Sequence, residues 1–141
     1  MQPEFPDVEP IIVAHQLELV PGVWSCLELP PVAEFNARVP VAQYTRIGGP
    51  AATPTWGSGY LMDRPVVDVD VYGGSREQAN AAVRQVRAAL LGIAGTVRDG
   101  AGFVAAVETA GPGRRPDASQ NITRIGFIVT LTVRAVAPAA P

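Results

Sequence analysis

The chain is 141 residues long, with 48% hydrophobic and 17% charged residues, a balance typical of one globular domain that buries a core without metals or disulfides. All eleven cationic residues are Arg, Lys is absent, and the formal net charge is −2. A Walker-type phosphate loop needs a Lys and is therefore excluded, and a chain without a basic surplus is not expected to bind nucleic acid tightly. The single Cys26 excludes an internal disulfide, and no Cys/His pattern predicts a metal site.

The chain begins with a predicted helix followed by a short strand. Asp7 is a good N-cap, and apolar residues then recur at helical spacing until Pro21, which predicts a helix over residues 8 to 19. The segment 23–28 has the composition of a strand, which Pro30 ends.

Two further strands are predicted before the middle of the chain. The first runs over 39–47, and the second over 64–72, where Val67, Val69 and Val71 point to one face and Asp68, Asp70 and Tyr72 to the other. The 16-residue connection 48–63 between them is predicted to be a loop, and a loop of that length in a compact domain is usually functional or disordered.

The second half contains the most regular helix and two strands. Ser75 and Gln78 form a capping-box pattern, and an apolar stripe of 3.6-residue period follows until Gly95. Strands are predicted over 103–109 and 125–134, with a Gly/Pro/Arg-rich loop or extended hairpin tip at 110–121 between them.

These elements predict an α+β fold in the order α-β-β-β-α-β-β. We expect one domain over residues 1–141, in which two helices pack on one face of a mostly antiparallel or mixed sheet of about five strands. The ends, residues 1–6 and 135–141, are expected to be loosely held. The first residues lack the pattern of a signal peptide, and no apolar run approaches membrane-spanning length, which predicts a soluble protein without membrane partners.

Few residues are candidates for catalysis or metal binding. His15 could act as a base toward Ser25 or Cys26, but its spacing places it at the edge of an apolar stripe, where a structural His is expected. Asp68 and Asp70 share one strand face and could form an acid/base pair or, with Asp63, hold a divalent cation. The prediction that we favour is that the pair faces solvent or accepts Arg side chains from a neighbouring chain. No catalytic residue, metal ligand or cofactor is predicted.

Several residues instead favour protein–protein contact. The predicted loop carries Trp56, Tyr60, Leu61 and Met62, and aromatic residues and Met are enriched in interface cores, although Trp56 could also fold back onto its own core. The other candidate interface residues are charged: Asp68, Asp70, Arg84, Arg87, Arg114 and Arg115.

An arrangement of short signatures resembles the tail terminator proteins of long-tailed, siphovirus-type phages of actinobacteria. The similarity covers roughly residues 7–134 and departs from the family around Pro30–Pro31 and in the Trp56 loop. It is carried by Asp7-Val8-Glu9, Val20-Pro21-Gly22-Val23, Tyr44-Thr45-Arg46-Ile47-Gly48-Gly49, the run from Asp63 to Tyr72, a helix like Ser75 to Leu91, and the strand from Ile125 to Arg134.

The resemblance implies a virion protein, assembled in the host cytoplasm, that forms a hexameric ring on the head-proximal end of the tail tube. Such a ring stops tube polymerisation and presents a surface to the head connector, so its partners are copies of itself, the major tail tube protein and a connector or stopper protein. Genomic double-stranded DNA would pass through the lumen without specific binding. Three alternatives remain open at this point: another neck component such as a stopper or head-completion protein, a small enzyme, and a DNA-binding module.

Overall fold

The computed structural model describes residues 4–50, 53–54, 61–117, 119 and 121–136. Within these ranges, three helices and eight strands follow one another. They are α1 (Val8–Leu19), β1 (Trp24–Cys26), α2 (Val32–Arg38), β2 (Val41–Arg46), β3 (Thr53–Pro54), β4 (Leu61–Asp63), β5 (Val66–Gly73), α3 (Arg76–Leu91), β6 (Val97–Arg98), β7 (Ala101–Arg115) and β8 (Thr123–Ala135). None of the helices in these ranges is long and apolar enough to cross a membrane.

The α+β class is confirmed, and the sheet has more strands than the sequence predicted. The seven predicted elements, in the order α-β-β-β-α-β-β, correspond to α1, β1, β2, β5, α3, β7 and β8. The four short elements α2, β3, β4 and β6 lie between them. The prediction of a loop over 48–63 was wrong, because this connection contains β3 and β4. Of the two alternatives predicted for 110–121, the structure has the extended hairpin tip: β7 continues to Arg115, and β8 begins at Thr123.

The sheet is built around β5 and β8. Its strands lie in the order β1-β2-β5-β8, β7 pairs with the other side of β8, and β4 with β3 continues from the far end of β8. All pairings are antiparallel except that of β1 with β2. Three register shifts interrupt the β7–β8 ladder, and the last of them, between Ala110 and Gly113, spans Gly111 and Pro112, residues that an edge strand tolerates.

Helices α1 and α3 cover one face of the sheet. Val67, Val69 and Val71 of β5 point to this face and are fully buried, as the sequence predicted. The core also contains residues of both helices and of β7 and β8, among them Ile12, Val86, Leu90, Phe103 and Phe127. Burial of these apolar groups is the main source of stability.

Helix α3 begins at the predicted cap. The Ser75 hydroxyl accepts a hydrogen bond of 3.1 Å from the Gln78 backbone N–H, and the Gln78 side chain accepts one of 2.6 Å from the Gly74 backbone N–H. Gly73 lies directly against Ala79, so that β5 and the first turn of α3 approach closely. The capping box therefore fixes the angle at which α3 leaves the sheet.

A small polar cluster lies in the core between α1, α3 and β2. Gln16 is fully buried, and its amide donates hydrogen bonds of 3.0 Å to the Tyr44 hydroxyl and to the Val86 carbonyl. His15 Nε2 lies 2.9 Å from the Ala89 carbonyl oxygen. These bonds join α1 to α3 and to the sheet at fixed positions, which apolar packing alone specifies less strictly.

Helix α2 lies on the face opposite to α1 and α3. Phe35 packs edge-to-face against Tyr72, with ring centroids 5.4 Å apart, and Tyr72 alternates along β5 with the core valines. No residue of α2 is fully buried, and Arg38 stacks on the Trp24 ring at 4.0 Å. This helix has no buried apolar stripe, and the contacts of Phe35 and Arg38 hold it in place.

Candidate interaction surface

The face of the sheet away from α1 and α3, here called the open face, carries a cluster of charged side chains. Asp68 and Asp70 point to it from β5, as the alternation predicted. Arg124 lies on β8 opposite Tyr72, and Arg115 lies on β7 opposite Arg124. Two carboxylates and two guanidinium groups therefore meet on three neighbouring strands.

The four side chains form one ion-pair cluster. Arg124 donates to both oxygens of Asp70 at 3.0 and 2.8 Å, and Arg115 Nη1 donates to Asp70 at 2.8 Å. Arg115 Nη2 is 2.8 Å from Asp68 Oδ1, as an ion pair rather than a well-aligned hydrogen bond. The pKa of Arg115 is raised by its contact with Asp68, and that of Arg124 by its hydrogen bonds to Asp70.

The cluster is partly shielded from solvent. The Asp70 side chain is 11% exposed, whereas those of Arg115 and Arg124 are 27% and 32% exposed. Ion pairs in such positions are screened less than pairs on a free surface, and each Arg presents the bidentate geometry that suits a carboxylate. The cluster therefore fastens the end of the β7–β8 hairpin to β5.

Gly126 makes room for this cluster. It pairs with Asp70 on one side and with Gly113 on the other. A Cβ at this position would overlap the Arg115 guanidinium and its Nε, because the Arg115 side chain crosses directly over Gly126 to reach the carboxylates. A glycine is required here for close approach rather than for backbone conformation.

Beside the cluster, the open face contains a groove of about 340 Å³ between α2 and the end of the β7–β8 hairpin. Its lining is mainly apolar, with Arg124 and Asp117 at the polar side. The apolar lining consists of Leu29, Pro30, Val32, Phe35, Tyr72 and Ile122. Tyr72 is almost wholly buried, and burial raises the pKa of its hydroxyl.

The predicted interface residues do not form one patch. Asp68, Asp70 and Arg115 come together in the cluster, and the Arg residues that engage the two carboxylates belong to the same chain rather than to a neighbour, the partner that the sequence favoured. Arg84 and Arg114 are exposed. They lie on the side of the molecule where α3 faces β7.

Arg87 also finds its partner within the chain. Its Nε donates a hydrogen bond of 2.6 Å to Glu108 on β7, and this contact raises the pKa of Arg87. Met62 is half-buried in β4 opposite Arg134, and Leu61 belongs to the same strand. Trp56 and Tyr60 lie outside the described residues.

The residues considered for catalysis, His15, Ser25 and Cys26, make structural contacts instead. His15 contacts the Ala89 carbonyl, and the Ser25 hydroxyl is 3.3 Å from the Tyr44 hydroxyl. The Cys26 thiol donates to the Ala42 carbonyl at 3.6 Å, and burial raises its pKa, opposite to the change that activates a nucleophilic thiol. His15 therefore fills the structural role that its spacing predicted.

The metal hypothesis for the acidic residues also fails on geometry. Asp63 forms a bidentate pair with Arg46, with both bonds at 2.9 Å, and the other two carboxylates are held by Arg115 and Arg124. Within the described ranges no three His, Cys, Asp or Glu side chains come close enough to share an ion.

Sequence reasoning missed Arg124, Gly126, Phe35 and the groove beside them. Arg124 precedes the strict alternation of β8 by one residue, and extending that alternation would have placed it on the face of Gly126 and Asp70. The groove depends on α2, which the sequence did not predict, and no local signal could have indicated it.

Comparison with known proteins identifies the fold but no family. Neither a protein-family model nor a curated protein matches this chain. Among solved structures, the chain is similar to one from the structure described as the virion of a native gene transfer agent particle. The two are 16% identical with a TM-score of 0.56, and the similarity covers 89% of this chain and 85% of that one. At this level of identity the likeness shows a shared fold.

Proposed function

We propose that this protein is a structural subunit of a phage-like virion and that it acts as a tail terminator. In this role, copies of the chain form a ring, expected to be a hexamer, on the head-proximal end of the tail tube. The ring ends tube polymerisation and offers its other side to the connector or stopper protein of the head. Genomic DNA passes through the lumen without being bound.

The observation that carries the proposal is the fold likeness to a chain of a gene transfer agent virion, which extends over 89% of this chain. The short sequence signatures that resemble tail terminators support the same role independently, because they are spread over most of the chain. The engagement of His15, Ser25 and Cys26 in structural hydrogen bonds is consistent with a protein that acts by assembly. A net charge of −2 suits a ring through which DNA slides.

Deleting the gene in the particle that encodes it tests the role. Without a terminator, tail tubes should grow past their normal length and remain unattached to heads, and supplying the chain in trans should restore uniform, attached tails. Electron micrographs of the tails measure both length and attachment. Tails of normal length that fail to join heads would reject the terminator and favour a stopper or head-completion protein. Normal, infectious particles would reject both.

A further inference from the structure

Charge is divided unevenly along the chain and across the sheet. Residues 4–40 carry six acidic side chains and one Arg, whereas residues 71–136 carry eight Arg and four acidic side chains. The first segment supplies β1, at one edge of the sheet, and the second supplies β7, at the opposite edge. Four of these acidic residues lie in or before α1, and Glu18 pairs with Arg98, so only the exposed charges beside β1 and β7 determine the charge of the two edges.

The β1 side presents carboxylates around exposed apolar groups. We define the acidic edge by Glu28, Leu29, Val32 and Glu34, which follow β1 and begin α2. Leu29 is 40% and Val32 is 76% exposed, and both carboxylates are exposed. Arg38, the one Arg of the segment, is turned onto the Trp24 ring.

The β7 side presents exposed guanidinium groups. We define the arginine edge by Arg76, Arg84 and Arg114, which are all exposed. Arg76 and Arg84 share a flank of α3 with Arg87, whose bond to Glu108 shows that this flank faces β7. Arg114 projects from β7 into the same cleft as Arg76.

The arginine edge keeps a positive charge that the rest of the chain does not neutralise. None of its three Arg side chains forms an ion pair within the part of the chain that the structure describes. Glu77 is the acidic residue of the adjoining turn of α3 and offsets one of the three charges.

We infer that the acidic edge of one copy docks on the arginine edge of the next, head to tail. The exposed carboxylates of one edge and the exposed guanidinium groups of the other have opposite signs, and complementary charge both steers association and selects which surfaces meet. A contact between two different edges leaves every copy with one open edge, so that association continues until a ring closes. The inference rests on the proposed function and names the contact that would close its ring.

Paired charge reversals test the contact in the full-length protein. Arg84→Glu leaves the arginine edge with two positive and two negative charges, counting Glu77, and Glu34→Arg leaves the acidic edge with one of each. Each variant alone should therefore self-associate at least about tenfold more weakly than the wild type, since a neutralised edge no longer attracts its charged partner edge. A 1:1 mixture of the two should regain pairwise association, because the unchanged acidic edge of one variant meets the unchanged arginine edge of the other. Sedimentation velocity measures the assemblies at about 0.01 M and about 1 M ionic strength, where the Debye length is about 30 Å and about 3 Å.

Controls separate this contact from general effects of charge. Arg64→Glu changes the net charge equally at an exposed position between β4 and β5, on neither edge, and should associate like the wild type. Glu34→Arg could weaken association by disturbing α2, the short helix in which Glu34 lies. Glu28→Arg changes the charge of the same edge outside α2 and should weaken association equally.

Several results would overturn the inference. They are a wild type that stays monomeric at low ionic strength, reversed variants that associate unchanged, a mixture that does not recover, and wild-type complexes that stop at two copies, which would indicate a symmetric dimer. Duplex DNA that binds the wild type and is lost with Arg84→Glu would instead make the arginine edge a nucleic-acid site. A failure of the proposed function can be distinguished from a failure of this inference. Tail length after gene deletion tests the function alone, because it does not depend on which edges of the chain meet.

Discussion

Replacing Gly126 by Ala should detach Arg115 from the two carboxylates on the open face. A Cβ at position 126 would overlap the Arg115 guanidinium, so one of the two groups must move. Gly126 is held in the centre of the sheet by ladders on both sides, whereas the guanidinium ends a flexible side chain. The guanidinium therefore moves, and its 2.8 Å contacts with Asp68 and Asp70 are lost.

The size of the effect follows from the exposure of these groups. Hydrogen bonds to charged groups contribute about 1.5–3 kcal/mol and exposed ion pairs about 0–1 kcal/mol. Because Arg115 and Asp68 are 27% and 25% exposed, we assign about 1 kcal/mol to each of the two contacts. Ala is favoured over Gly within a strand by about 0.5–1 kcal/mol, which leaves a net loss of about 1–1.5 kcal/mol. This loss corresponds to a decrease in Tm of roughly 3–6 °C.

Urea unfolding measures the loss as a lower midpoint at an unchanged slope. Gly113→Ala is the matched control, because Gly113 pairs with Gly126 across the β7–β8 ladder and an added Cβ there would meet nothing within 4 Å. It should be neutral or slightly stabilising. In an Arg115→Ala background, Gly126→Ala should also become neutral or stabilising. An undiminished loss in that background would refute the account, since no guanidinium would then be displaced.

Two further substitutions test the core. Burial raises the pKa of Tyr44 from 10.0 to about 12, so the folded state favours the protonated phenol. The stability that this preference contributes below pH 10 should be lost as pH rises towards 12, by at most about 3 kcal/mol. Tyr44→Phe should remove this pH dependence of the free energy of unfolding between pH 10 and 12, and it also removes the hydrogen bond from Gln16. If the pH dependence is unchanged in the variant, Tyr44 is not its source. Gly73→Ala should cost about 2–3 kcal/mol in the same urea assay, because the added Cβ would lie 2.6 Å from the Ala79 backbone nitrogen, which cannot rotate aside. A loss smaller than that of Gly126→Ala would contradict this reasoning.

Sequence reasoning succeeded where one element carries its own signal. The bounds of α1 were predicted to the residue, and Ser75 with Gln78 marked the start of α3, because caps and 3.6-residue periodicity are local properties. The alternation along β5 likewise placed Asp68 and Asp70 on one face. These signals do not depend on what the rest of the chain does.

Prediction from the sequence failed where an element depends on residues that are distant along the chain. Gly111 and Pro112 read as strand breakers, yet β7 passes through them because it lies at an edge and bulges absorb the irregularity. Helix α2 has no buried residue and is held by Phe35 on Tyr72, a contact that no local pattern indicates. The sequence therefore left a loop open for 110–121 and predicted no element for residues 32–38.

The internal partners of Asp68 and Asp70 also change where an intersubunit contact should be sought. Without partners in their own chain, the two carboxylates would make the open face strongly acidic. Arg115 and Arg124 pair with them, so the cluster as a whole is neutral. Among the described residues, the exposed charges without an ion-pair partner include Glu28 and Glu34 of the acidic edge and Arg76, Arg84 and Arg114 of the arginine edge. Complementary charge can therefore guide copies of the chain together edge to edge, whereas the open face has no net charge in its cluster with which to attract another copy.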